Sequence, residues 1–155
     1  MLVRFRVSGF TLLELLVVVT IIAAASAGVV LALRDSSQTA LDRDAQRLAV
    51  LLESARAQSR ATGVAVRWQP ASGGFSFTGL GAATLPTRWL SESTRVVGSV
   101  SLQLGPEPMI GAQAVELMDA TQATSAQAVA VRVATDGLRP FSVQATRPVT
   151  AGAGP

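Results

Sequence analysis

The chain has 155 residues, with 13 arginines set against 10 carboxylates for a formal net charge of +3. Cysteine and histidine are absent, which excludes disulfides, thiolate metal sites, a thiol nucleophile and the commonest general base. Lysine, tyrosine and asparagine are absent too; an all-arginine basic set reads as GC-rich coding bias, not as a basic field for nucleic acid.

Arg4 and Arg6 precede Ser8-Gly9-Phe10-Thr11-Leu12-Leu13-Glu14, and an apolar run then continues to Leu33. Glu14 is the only ionisable side chain between Phe10 and Leu33. As a helix this stretch is roughly 36 Å long, enough to cross a bilayer with some tilt. A carboxylate near the end of such a span is costly in hydrocarbon and points to a function. The two leading arginines keep the amino terminus cytoplasmic and send the rest across. Ala23 to Ala27 offers small residues inside the run, so a cut there would leave Val29 to Leu33 as an apolar stub. A cut at Ser8-Gly9 would remove only the basic leader, leaving a nearly neutral chain with the hydrophobic helix first. Three segments follow: a leader at 1–9, a membrane-spanning or filament-core helix at 10–34, and an exported domain at 35–155.

Residues 35–62 continue as an amphipathic helix. Leu41, Ala45, Leu48, Leu52, Ala55 and Ser59 form a narrow stripe, with Asp42, Arg43, Asp44, Arg47, Glu53, Arg56 and Arg60 mostly on the remaining faces. Gly63 is placed to stop it. A β region at 63–149 follows, where the period changes to two. Val64 to Trp68 and Phe75 to Phe77 read as a hairpin around Pro70 to Gly74, and Gly79 to Thr87 as a loop packed down by Trp89-Leu90. Arg95 to Leu104 reads as one strand, ended by Gly105-Pro106-Glu107-Pro108, and Val115 to Met118 as a short one. Thr121 to Gln127 is a small-polar loop. Val129 to Val133 and Phe141 to Ala145 form a second hairpin around Asp136 to Pro140, and 150–155 is a tail. The fold class is α+β: a long amino-terminal helix with a small antiparallel β domain.

The carboxylates are scattered. Asp42 and Asp44 point about 200° apart on a helix, and Asp119 and Asp136 lie near loops without a recognisable ion-binding motif, so all four read as solvated and no metal or cofactor is expected. Trp68, Trp89, Phe75, Phe77 and Phe141 read as core residues of the sheets. No residue set reads as catalytic, and the chain is not expected to be an enzyme.

Gly9-Phe10-Thr11-Leu12-Leu13-Glu14 resembles the processing site of type IV pilins and type II secretion pseudopilins. The resemblance implies cleavage between Gly9 and Phe10 by a prepilin peptidase, methylation of the Phe10 amine, and a role in filament assembly for Glu14, the fifth residue of the mature chain. The Leu48 to Arg56 helix, the Gly63 to Trp68 strand, Trp89-Leu90, the Asp136-Gly137 turn and Pro140-Phe141 are similar to the H-type minor pseudopilin. That likeness implies a pilin-like helix on two small sheets, at or near the tip of a type II secretion pseudopilus. It also implies an inner-membrane anchor, a periplasmic domain, and as partners the assembly platform, the major pseudopilin and the I-, J- and K-type minor pseudopilins. Several type IV pilins close their carboxy-terminal region with a disulfide, which this chain cannot form, and this favours the secretion reading. The alternative is a minor pilin of a type IV pilus that binds DNA for uptake. A related group of subunits grips DNA with carboxy-terminal arginines, and the counterparts here would be Arg132, Arg139 and Arg147; solvated arginines are the preferred reading.

Overall fold

The computed structural model describes the backbone of residues 10–81, 85–123 and 129–148, and their side chains except at 27–35 and 145–148. The expected leader, the tail at 150–155 and residues 124–127 of the expected loop lie outside these. Helix α1 runs from Leu12 to Thr62, and by its contacts the chain forms two compact units, 1–36 and 37–155.

In the second unit α1 ends where expected: the Gly63 amide donates to the Ser59 carbonyl at 2.9 Å. Two antiparallel sheets follow. The three-stranded sheet has the order β2 (Gly74–Thr78), β1 (Arg67–Ala71), β4 (Leu102–Gln103). The four-stranded sheet has the order β3 (Thr94–Val96), β5 (Gln113–Asp119), β6 (Val129–Thr135), β7 (Ser142–Pro148). The expected stripe of α1 supplies one side of the core, with Leu41, Ala45, Leu48, Leu52, Ala55 and Ser59 all buried. Trp68, Phe75 and Leu102 meet it from the first sheet, Val115, Leu117, Val131 and Val133 from the second, and Leu104 and Phe141 from the residues flanking β4 and β7. Phe77 and Trp89 pack on the same core half-buried, so the aromatics are structural as expected. This is the α+β, pilin-like arrangement expected from the sequence.

Two strand expectations are corrected. Arg95 to Leu104 is not one strand: β3 and β4 belong to different sheets, and the chain changes sheet at Gly98, whose φ of +72° breaks an extended run that L side chains would continue. The first hairpin turn is also tighter than Pro70 to Gly74, because β1 and β2 pair as far as Ala71↔Gly74. Pro70 is tolerated inside β1 because β4 covers only Arg67 and Trp68, leaving β1 an edge strand at the proline.

Gln113 joins the sheets. Its Oε1 accepts from the Gln103 amide at 2.8 Å and its Nε2 donates to the Gln103 carbonyl at 2.8 Å. One side-chain amide thus satisfies both backbone groups on the open side of β4, as a further strand would.

Candidate functional site

Phe10 and Thr11 lead into α1. The Thr11 hydroxyl accepts from the Glu14 amide at 3.2 Å, so Thr11 caps the helix and Glu14 falls in its first turn, where a carboxylate is favoured by the helix dipole. Every large apolar residue from Phe10 to Ile22 is exposed, from 42% at Val18 to 81% at Leu12. A helix apolar on all faces needs lipid or other helices around it. Its hydroxyls are satisfied internally, since Thr20 donates to the Leu16 carbonyl at 2.7 Å and Ser26 to the Ile22 carbonyl at 2.8 Å. Among the described residues no helix is long and apolar enough to cross a membrane. The expected 10–34 span includes residues 27–34, whose side chains lie outside the described set, as do Gly9, Arg4 and Arg6.

In the second unit the expected solvation of Asp44 is corrected, because it is buried, and Arg56, expected mostly on the faces away from the stripe, is buried as well. Each lies at a three- or four-residue spacing from stripe positions: Asp44 between Leu41 and Leu48, Arg56 between Leu52 and Ser59. That spacing was the available signal. The Asp44 carboxylate accepts from the Leu90 amide at 2.7 Å, the Ser91 amide at 3.1 Å and the Thr94 hydroxyl at 2.7 Å. It thereby fastens the segment entering β3 to the helix, helped by Arg47, which donates to the Arg88 carbonyl at 3.0 Å. Arg56 donates to the carbonyls of Gly137 at 2.8 Å and Pro108 at 3.2 Å and faces Glu53 at 3.6 Å. Glu53 in turn accepts from the Phe141 amide at 2.9 Å. These charges are anchors for loops, held by fixed protein partners as a buried charge needs, although Nε of Arg56 is buried without a hydrogen-bond partner.

Asp119 is also buried and caps a single 3-10 turn, Ala120–Gln122. Burial pushes its carboxyl pKa up, but hydrogen bonds from Thr121, Ser93 and Ser37 outweigh this and hold it below the ordinary value. Asp136 is exposed, and the amides of Arg139 and Leu138, then the Arg139 guanidinium, lower its pKa. Both carboxylates are thus occupied by protein donors. Among the described residues, no three His, Cys, Asp or Glu side chains come together at a site.

Arg132 is half-buried on β6, between register partners Glu116 and Gln144. Arg139 lies in the β6–β7 turn, held by Asp136 at 2.9 Å. The backbone of Arg147 pairs with Ala130, and its side chain lies outside the described residues. The three backbone positions are therefore strung along the hairpin, over about 20 Å at the usual strand rise. A groove of about 720 Å³ opens beside the β1–β2 turn, lined among others by Phe75, Arg88, Trp89, Glu92 and Arg95; its charges are mixed.

Residues 4–30 match the family model described as the prokaryotic N-terminal methylation motif. No curated protein and no solved structure matches the chain. The motif supports a type IV pilin-like family, whose members are structural proteins carrying a pilin-type amino-terminal membrane anchor. It implies processing by a prepilin peptidase and membrane-associated assembly.

Proposed function

We propose that this chain is a minor pseudopilin, a structural subunit at or near the tip of a type II secretion pseudopilus. It is anchored in the bacterial inner membrane with its amino terminus cytoplasmic and residues 35–155 in the periplasm. The observation that carries this reading is Gly9-Phe10-Thr11-Leu12-Leu13-Glu14 at the head of a helix apolar on every face. Hydrolysis of the Gly9–Phe10 amide leaves a carboxylate on Gly9 and an amine on Phe10; the peptidase then transfers a methyl group to that amine from a sulfonium donor, which leaves as the thioether while the nitrogen gives up a proton. In an apolar surrounding an ammonium and a carboxylate are each costly alone, so the Phe10 amine of one subunit pairs with Glu14 of the next and sets their register. The absence of cysteine supports the secretion system over the type IV pilus. The periplasmic domain acts by binding the I-, J- and K-type minor pseudopilins, the major pseudopilin and the assembly platform.

Intact-mass analysis of the protein from its native host tests the reading: the mature chain should begin at Phe10 and carry one added methyl. A different start would refute it. Glu14→Ala should leave membrane insertion intact while reducing crosslinking to filament partners at least about tenfold. Wild-type crosslinking by that variant would remove the role given to Glu14.

A further inference from the structure

Among the described residues of the 37–155 unit, Met109 and Leu138 are the most exposed large apolar side chains, at 70% and 74%. They stand on different loops, one between β4 and β5 and one between β6 and β7, yet the two loops are fixed to a single atom. Nη2 of buried Arg56 donates to the carbonyls of Pro108 and Gly137, the residues immediately before Met109 and Leu138. The backbones also touch: a Cβ on Gly137, which sits at φ +92°, would overlap the Ile110 carbonyl oxygen. Ile110 packs against the core, and Glu53 holds the Phe141 amide, so both loops are tied down from within as well. Two apolar side chains are thus held out to solvent on backbone that has little ordering entropy left to lose on docking.

The charges around them are unequal. Asp136 and Arg139 cancel at 2.9 Å, and Arg56 faces Glu53. Glu107 makes no ion pair among the described residues and is the charged residue lining a hollow of about 280 Å³ beside Met109. An uncompensated carboxylate disfavours an anionic lipid surface and favours a basic side chain on a protein.

We propose that Met109 and Leu138 are paired anchors of a docking surface for the globular domain of another pilin-like subunit, which offers an apolar socket with an arginine or lysine at its rim. The identity of that partner rests on the function proposed above; the surface itself rests on the geometry.

The chain has no native cysteine, so single-cysteine variants of the full-length protein can carry a benzophenone maleimide in native-host membranes. Met109→Cys and Leu138→Cys should crosslink one and the same protein, identified by mass spectrometry as bearing an amino-terminal methylation motif. Val64→Cys and Leu90→Cys, exposed elsewhere, should not. Met109→Ser combined with Leu138→Ser should cut recovery of that partner at least about tenfold with an unchanged melting temperature, and Glu107→Arg several-fold. Equal crosslinking from all four positions, different partners at 109 and 138, crosslinks only to lipid, or none would overturn the surface. If those failures occur in a chain processed to methylated Phe10, the surface falls and the proposed function stands. An unprocessed chain overturns the function instead.

Discussion

Replacing Asp44 by alanine would strip one carboxylate from the middle of α1 and leave three donors without an acceptor: the Leu90 and Ser91 amides and the Thr94 hydroxyl. Asp44 is 1% exposed and so is Thr94, so water reaches that hydroxyl poorly once the carboxylate is gone. Leu90 is 62% exposed, so its amide recovers part of its hydration. Hydrogen bonds to a charged group contribute about 1.5–3 kcal/mol each, and discounting the wetter donor gives a loss of roughly 3–4 kcal/mol for Asp44→Ala. Asp44→Asn keeps the volume and one acceptor oxygen but turns an NH2 group toward donors, for about 2 kcal/mol. Urea unfolding of the 37–155 unit, followed by tryptophan fluorescence, reads both losses, since Trp89 adjoins the anchored segment and Trp68 lies in the core. The midpoint should fall with little change in slope. Asp42→Ala, at a half-buried position on the same helix, should stay within about 0.5 kcal/mol of the parent. A loss under about 1 kcal/mol for Asp44→Ala would refute the view that this carboxylate carries the segment entering β3.

Three further outcomes are expected. Gln113→Ala should cost about 1–2 kcal/mol and leave the open side of β4 unpaired, so concentration-dependent association by light scattering should rise; a variant as stable and monomeric as the parent would contradict the strand-like role of that amide. Asp119 has its folded pKa below the ordinary 3.8, so its contribution is complete above that value and is lost as pH falls through the lower folded value. Asp119→Asn should therefore lower stability at neutral pH and flatten the decline below about pH 4, and an unaltered acid limb would show that the carboxylate is not the titrating group. Labelled duplex DNA should bind the 37–155 unit only weakly at physiological salt; submicromolar, salt-sensitive binding abolished by removing Arg132, Arg139 and Arg147 would replace the secretion reading with DNA uptake.

What could be read from the sequence was local. The α1 stripe, the stop at Gly63 and the second hairpin depend on spacings of two to four residues; the first two stand where the periodicity put them, and the hairpin forms around the expected turn with longer strands, Val129–Thr135 and Ser142–Pro148. The single strand expected over Arg95 to Leu104 failed because alternation of valines and leucines persists through Gly98, while the backbone there turns into another sheet. Period-two patterning records which side of a strand is covered, and it continues unchanged across a break when both halves face the same core.

The anchors were hidden for a different reason. Asp44 finds its partners 46 to 50 residues away, and Arg56 reaches the Gly137 carbonyl across 81. Residue type alone makes such a charge read as solvated, since burial without remote partners would cost several kcal/mol and those partners lie far along the chain. In a chain whose only basic residue is arginine, nothing in residue type separates buried Arg56 from exposed Arg60. Position does: Arg56 lies four residues after Leu52 and three before Ser59, inside the covered stripe, whereas Arg60 faces out. A charged residue at stripe spacing therefore marks the place where a helix takes hold of a loop. Here both such places bear on loops, one leading into β3 and the other presenting Met109 and Leu138.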